Sequence, residues 1–215
     1  MRPEALKGGH RVGGSARLLP VRPGYRAVMN AITLLKNDHK AVEHLFKRFE
    51  KTGPRAVKTK QDIVERIVRE LSIHAAIEEM VLYPAIREAA GNGDIDKMVL
   101  ESLEEHHFVK WVLWELERVG PEDERFDAKV AVLIENVRHH VAEEEKELFP
   151  QVNKVYGRAQ LADLGEAMEN LKKTAPTHPH PRSPDEPPGN LVAGAGAVLV
   201  DRALDVGRKL VRRAS

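Results

Sequence analysis

The sequence predicts an all-α protein, an up-down four-helix bundle with a short capping helix and a separate C-terminal amphipathic helix. Three observations predict this fold class. Apolar residues recur every three or four positions along four long segments, which is the period of an amphipathic helix. Short breaks containing Gly or Pro separate these segments, so consecutive helices are expected to be antiparallel neighbours. Aromatic residues make up only 5% of the chain, which favours helices over sheets.

The first half of the bundle is predicted to contain two helices. Residues 30–51 show the helical period, and the Thr-Gly-Pro sequence at 52–54 ends this helix. Residues 59–90 show the same period and end at the Gly-Asn-Gly turn of residues 91–93. The break between the two helices is short, so they are expected to pack against each other.

The second half repeats this organisation. Asp94 is the predicted N-cap of a third helix, which ends before the Gly-Pro pair at 120–121. The fourth helix is predicted for residues 124–156, and residues 158–171 form the short capping helix. The bundle domain is therefore predicted to span residues 29–171.

The two ends of the chain differ from the bundle in composition and charge. Residues 1–28 are basic and aperiodic and are predicted to be a disordered leader, which is not translated if Met29 is the start. Residues 172–189 are Pro-rich and predict an extended linker, and residues 190–215 predict an amphipathic, basic tail helix. The predicted bundle carries a net charge of about −8, which argues against a nucleic-acid partner.

An internal repeat of about 67 residues relates the two halves. Residues 37–50 resemble residues 104–117, and residues 74–84 resemble residues 140–150. The repeating unit is a pair of helices used twice, with one His on the first helix and His-x-x-x-Glu on the second. Two such units predict a bundle with approximate twofold symmetry and a matched set of ligands for a two-metal centre.

The repeated His and Glu residues are the candidate metal ligands. Residues four positions apart lie on one face of a helix, so each His-x-x-x-Glu pair is expected to point at the same site. Imidazole and carboxylate together suit iron, manganese or zinc rather than calcium or magnesium. The chain has no cysteine, which excludes thiolate metal sites and a Cys nucleophile. The predicted ligands are His39, His74, Glu78, His106, His140 and Glu144.

Several neighbouring residues are given lesser roles. His107 and His139 are expected on the surface or behind the ligands, because a helix turns about 100° per residue. Glu79 or Glu143 is the expected proton relay in an enzyme. The aromatic residues near the ligands, with Phe108 and Tyr83 among them, are expected to pack the core. His44 is expected on the surface, Glu43 is at most a residue behind the ligands, and His10, His178 and His180 are placed in disorder.

The pattern of ligands and the words LLKNDH, EEMVLYP and EEEKELFP resemble the hemerythrin-like (HHE cation-binding) domain family over residues 30–156. The resemblance implies a left-handed four-helix bundle with two iron ions joined by an oxo or hydroxo group; manganese or zinc are alternatives. It also implies that Glu78 and Glu144 bridge the metals and that the four His are terminal ligands. Oxygen-carrying relatives have a further His where Lys110 stands here, so the resemblance favours chemistry or sensing over oxygen carriage.

Three functions remain open at this level. The first is a non-haem di-iron protein that binds or senses dioxygen, peroxide or nitric oxide. The second is a catalase-like enzyme that removes peroxide, and the third is a metal-stabilised interaction module acting through its tail helix. The tail, residues 190–215, suits contact with a membrane surface or a protein. The chain has neither a long uncharged apolar run nor an apolar N-terminal stretch, and a cytoplasmic location is predicted.

Overall fold

Four long helical rods form the bundle, and a seventh helix caps it. The computed structural model describes residues 29–90 and 93–184, so the predicted leader 1–28 and tail 190–215 lie outside the described residues. The α-helices are α1 (Ala31–Glu50), α2 (Val57–Ile77), α3 (Tyr83–Ala90), α4 (Asp94–Leu116), α5 (Phe126–Glu143), α6 (Phe149–Val155) and α7 (Arg158–Lys172). The predicted all-α bundle with a capping helix is confirmed.

The predicted second and fourth helices each contain a π turn. The first π turn (Glu78–Leu82) joins α2 to α3, and the second (Glu144–Leu148) joins α5 to α6. In the first, the N–H of Tyr83 donates to the carbonyl of Glu78, five residues earlier. Pro84 and Pro150 follow the two turns, and a Pro removes the N–H that an α-helix needs while crowding the preceding turn. The second and fourth helices were expected to be uninterrupted α-helices, and each instead contains a π turn at the equivalent position of the repeat.

Two apolar clusters fill the bundle and leave a polar layer between them. One cluster, which we call the loop-side core, includes Phe46, Ile67 and Leu133. The other, the cap-side core, includes Leu35 and Leu148. Along each of the four rods, the helical stripe passes from one cluster to the other through a buried His. The four candidate histidines therefore form a polar layer that divides the apolar core of the bundle into two clusters.

Helix α7 closes the cap-side core. Leu161 and Met168 of α7 belong to that cluster, and Gly165 lies against the start of α1. A Cβ on Gly165 would lie 1.9 Å from the carbonyl oxygen of Met29, so only Gly permits this approach. Asn30 caps α1 beside the same contact, because its side chain accepts a hydrogen bond of 2.8 Å from the N–H of Ile32.

Residues 173–184 lie against the bundle and are not a free linker. Ala175 is buried and packs with Ile73 and Ala76 of α2. His178 is buried and pairs through Nδ1 with Glu117, just after α4. The expectation that His178 lies in disorder is therefore wrong. We call residues 174–184 the strap. No helix in the described ranges is long and apolar enough to cross a membrane.

Candidate metal centre

The structure brings the six predicted ligands together in the polar layer. His39 comes from α1, His74 from the end of α2, His106 from α4 and His140 from the end of α5. Glu78 and Glu144 are the first residues of the two π turns. All six side chains are buried, although carboxylates are almost never buried without a partner.

Each carboxylate lies between a His from one half of the chain and a His from the other. Oε2 of Glu78 is 3.2 Å from Nε2 of His74 and 3.5 Å from Nε2 of His106. Oε2 of Glu144 is 3.4 Å from Nε2 of His39 and 3.6 Å from Nε2 of His140. Each carboxylate therefore lies near both halves of the chain, which is where a ligand shared by two metal ions would lie.

The ligand atoms form two overlapping sets. One atom from each of His39, His74, Glu78 and Glu144 lies within 4.8 Å of the others. The same limit holds for Glu78, His106 and His140. Nε2 of His106 and Nε2 of His140 also face each other at 3.2 Å. Glu78 belongs to both sets, so the two sets are adjacent rather than separate.

Several of these buried atoms have no hydrogen-bond partner. They are Nε2 of His39, both ring nitrogens of His74, both oxygens of Glu78, and Oε2 of Glu144. An unsatisfied buried polar group costs about 1–3 kcal/mol, and a carboxylate costs more. Cations coordinated by these atoms would remove that cost, so the donor set fits a metal centre.

A carboxylate stands behind two of the histidines, each from the other half of the chain. Nδ1 of His39 is 2.9 Å from Oε1 of Glu145, and Nδ1 of His106 is 3.0 Å from Oε1 of Glu79. Glu79 and Glu145 follow Glu78 and Glu144 at equivalent places in the repeat. Nζ of Lys110 donates to the second oxygen of Glu79 at 2.8 Å. Glu79 therefore lies beside the site, and its expected role as a proton relay stays a prediction.

The other two histidines have carboxylates from within their own half. Nδ1 of His140 is 2.7 Å from Oε2 of Glu105, and Nδ1 of His74 is 3.7 Å from Oδ2 of Asp38. Lys172 of α7 donates to both oxygens of Asp38, at 2.6 and 2.7 Å. A carboxylate on Nδ1 fixes the ring with Nε2 toward the metal and raises its basicity. Sequence reasoning missed Asp38, Glu105 and Glu145, although each directly adjoins a predicted ligand.

The buried charges act strongly on one another. Burial raises the pKa of Glu78 well above its usual value, and the negative charge of Glu144 adds to this effect. Burial alone would also raise the pKa of Glu144, but His140 and His39 hold it below its usual value. Burial lowers the pKa of His74 to about 4, which leaves the ring neutral and able to bind a metal.

Tyr83 contacts the site directly. Its hydroxyl donates to Oε1 of Glu144 at 2.9 Å and lies 3.4 Å from Nε2 of His106. Burial raises the pKa of Tyr83 well above its usual value, so the hydroxyl keeps its proton. The expected packing role is correct for the ring, which is buried in the cap-side core, but the hydroxyl has a polar role as well. Its repeat equivalent, Phe149, stacks on His39 with ring centres 5.9 Å apart.

Other predicted positions lie away from the centre. His44 is exposed, and His107 accepts a hydrogen bond of 3.1 Å from the indole N–H of Trp111. Glu143 pairs with the exposed His139 at 3.2 Å, and its expected role as a proton relay stays a prediction. Phe108 is 44% exposed, so its expected core role is also wrong.

A cavity of about 580 Å³ reaches the centre from the surface. It opens between α1 and α5, and all four candidate histidines line its inner end. Apolar side chains form much of its exposed wall, among them Val42, Phe46, Val109 and Val141. The centre is therefore buried within the protein and still accessible to a small ligand along one side of the bundle.

Comparison with known proteins identifies the family. The model of the hemerythrin HHE cation-binding domain matches residues 30–152. An uncharacterised hemerythrin-like protein of Schizosaccharomyces pombe is 30% identical over 144 residues, which are 67% of this chain and 70% of that protein. A DNA nickase of a Nostoc species is 30% identical over 125 residues, 58% of this chain but only 34% of the nickase.

A solved structure agrees with these relatives. The crystal structure of a hemerythrin HHE cation-binding domain-containing protein from Mycobacterium kansasii is 25% identical, with a TM-score of 0.58. The similarity covers 67% of this chain and 86% of that chain. The resemblance in the sequence motifs is confirmed. This chain belongs to the hemerythrin HHE cation-binding domain family and carries the family's cation-binding domain.

Proposed function

We propose that this chain is a non-haem di-iron protein that binds or senses a small oxidant, namely dioxygen, peroxide or nitric oxide. The observation that carries the proposal is the position of Glu78 and Glu144, each between a His of one half and a His of the other. Carboxylates in this position suit a pair of metal ions that share them. The unpartnered nitrogen and oxygen atoms point to the same conclusion.

The donor set suits iron and leaves room for an exogenous ligand. Four imidazoles and two carboxylates suit iron, and the same ligands accept manganese or zinc. Six side chains shared by two ions do not fill two octahedral shells, so coordination positions stay open. A bound pair of iron ions would supply the electrons exchanged with an oxidant.

The chain itself supplies orientation and a partly apolar environment. Carboxylates on Nδ1 of His39, His106 and His140 hold these three rings with Nε2 toward the centre. The apolar cores lie on both sides of the polar layer, so charges in the site interact more strongly than in solvent. A small uncharged oxidant can enter through the apolar cavity.

Tyr83 favours a peroxide-removing enzyme as the second candidate. Removal of peroxide requires protons to be held and moved beside the reacting oxygens. The hydroxyl of Tyr83 contacts both Glu144 and His106, so a protonated group lies within the site. We expect Tyr83→Phe to keep the metal and to slow peroxide removal at least about tenfold. Tyr156→Phe is the matched control, because the Tyr156 hydroxyl donates to the carbonyl of Ala85.

Two further predictions are untested. The interaction module would act through residues 190–215, which lie outside the described residues. The expected lack of a nucleic-acid partner also stays a prediction, since the match to the Nostoc nickase covers about a third of that protein.

Metal analysis with spectroscopy tests the proposal. The metal content per chain is measured together with ultraviolet–visible spectra of anaerobic and air-exposed samples. About two irons per chain and a new charge-transfer band in air are the expected result. One zinc per chain with no band would refute the di-iron proposal and favour a structural metal site.

A further inference from the structure

The cavity beside the metal centre is much larger than the small oxidants require. One water molecule occupies about 30 Å³ of liquid, and dioxygen or peroxide is of similar size. The cavity measures about 580 Å³. This volume lies in the range of pockets that hold organic ligands, about 300–1,000 Å³. Apolar side chains also give ordered water few hydrogen-bond partners. The cavity therefore suits an organic ligand in addition to the small oxidant.

Much of the wall is apolar. Val42 and Phe46 come from α1, Val137 and Val141 from α5, and Leu71 from α2. These residues are aliphatic or aromatic, with no hydrogen-bonding group on the side chain. The wall therefore suits a hydrocarbon chain, which gains free energy from leaving water.

The mouth of the cavity carries two cations without a partner. Lys40 and Lys146 line it and are exposed, and neither forms an ion pair within residues 29–90 and 93–184. The third cation at the mouth, Arg138, is different. Its guanidinium is held by Glu43 at 2.9 Å and by Glu50 at 2.8 Å. Lys40 and Lys146 are therefore the groups available to an anion.

The acidic side chains of the lining are already neutralised. Asp38 accepts hydrogen bonds from Lys172, and Glu43 pairs with Arg138. Glu145 contacts His39 and lies 3.7 Å from Nζ of Lys36. An anion at the mouth therefore meets the two lysines without an unpaired carboxylate beside it.

We propose that the cavity binds a medium-chain aliphatic carboxylate, with its hydrocarbon along the apolar wall and its carboxylate at Lys40 and Lys146. This inference goes beyond the proposed function, because it assigns an organic ligand to the approach to the metal centre. An occupant there lies against the four histidines and controls how a small oxidant reaches them.

Calorimetric titration of the metal-loaded full chain tests the proposal. The probes are hexanoate, octanoate and decanoate, with decyltrimethylammonium as the cation of matched chain length. We expect one decanoate per chain and about fourfold tighter binding for each added methylene, since burying one is worth about 0.8 kcal/mol. Decyltrimethylammonium is expected to bind at least tenfold more weakly than decanoate.

Variants locate the ligand. The double change Lys40→Gln and Lys146→Gln is expected to weaken decanoate binding at least tenfold, whereas Lys58→Gln, an exposed lysine outside the cavity, leaves it unchanged. Val141→Phe fills the cavity and is expected to weaken binding at least tenfold, with circular dichroism and metal content checked. If Val141→Phe does not fold, the lysine variants alone test the proposal.

The contrary results are equally definite. Equal binding of anion and cation, affinity independent of chain length, or no effect of the lysine pair would overturn the proposal. Metal content is measured on the same samples. Decanoate binding by a protein without iron would refute the di-iron function alone, and iron without decanoate binding would refute only the cavity ligand.

Discussion

The contact between Glu105 and His140 predicts a specific loss of metal affinity. Oε2 of Glu105 lies 2.7 Å from Nδ1 of His140. This distance is shorter than those from Nδ1 of His39, His74 and His106 to their carboxylates. Nε2 of the same ring faces the metal centre at 3.6 Å from Oε2 of Glu144. Removal of the Glu105 carboxylate leaves the ring without its anchor while the ligand atoms themselves stay in the chain.

The size of the effect follows from this hydrogen bond. A hydrogen bond to a charged group contributes about 1.5–3 kcal/mol, and each 1.4 kcal/mol is a factor of ten in affinity. Loss of a carboxylate behind a metal-binding His typically lowers metal affinity about 10–100-fold. Glu105→Gln keeps an oxygen acceptor but loses the charge, so we expect about a tenfold loss. Glu105→Ala removes the acceptor as well, so we expect a loss near 100-fold.

Competition with chelators of graded affinity measures this loss, with bound metal determined by mass spectrometry. Glu104 is the matched control, because it is the preceding residue of α4 and its side chain is exposed. Glu104→Gln and Glu104→Ala are expected to bind metal as the unchanged protein does. If the Glu105 variants are indistinguishable from the Glu104 variants, the carboxylate does not support the ligand and the reasoning fails.

Three further changes test the site and the packing. His74→Ala should lower bound metal well below two ions per chain, whereas His44→Ala, on the exposed face of α1, should leave it near two; unchanged metal in His74→Ala would mean that the wrong face of α2 is assigned. Gly165→Ala should lower the free energy of unfolding by about 1–2 kcal/mol in denaturant titrations, because the added Cβ would lie 1.9 Å from the Met29 carbonyl oxygen. Gly53→Ala is the control, because a Cβ there meets no atom, and it should not lower this free energy. Removing the metal with a chelator should lower the melting temperature by about 10 °C, because a ligand at 1,000 times its Kd contributes about 4 kcal/mol; an unchanged melting temperature would mean that the buried polar atoms need no cation.

The helices and the convergence of the six candidate ligands were predictable because both depend on local periodicity. The repeat placed equivalent His and Glu residues on matching faces, and an i, i+4 relation survives small changes in helix geometry. The π turns did not show in the periodicity, since a single wide turn hardly alters the apolar stripe. Pro84 and Pro150 were the available signal, because each follows a turn that an α-helix cannot complete normally.

The residues behind the ligands were harder to predict, because their identity depends on how whole helices face each other. Glu79 and Glu145 each support a His that is far away in the sequence, across the bundle axis. Three carboxylates in a row at 143–145 look alike as a sequence, and only the assembled bundle separates them. Burial of Tyr83 was foreseeable from its apolar ring, but its hydroxyl contact depends on the second π turn.

The strap was mispredicted for a related reason. A Pro-rich composition predicts an extended linker, but residues 174–184 contain turns and bends, and composition does not say whether the segment is free. Burial of Ala175 and His178 against α2 and the end of α4 decides that question. The apolar surface of Ile73 and Ala76 on α2 and the carboxylate of Glu117 were the tertiary information that a single sequence did not supply.

One reversal of charge in the repeat explains why the centre is open on one side and closed on the other. Lys110 of α4 pairs with the buried Glu79, and the strap covers this pair. The equivalent position on α1 is Glu43, which cannot pair with Glu145 because both are negative. Glu43 instead pairs with Arg138 at the surface, and Glu145 stays 33% exposed at the cavity. A symmetric set of candidate ligands therefore lies in an asymmetric shell, with the cavity on the side of Glu145 and the strap on the side of Glu79.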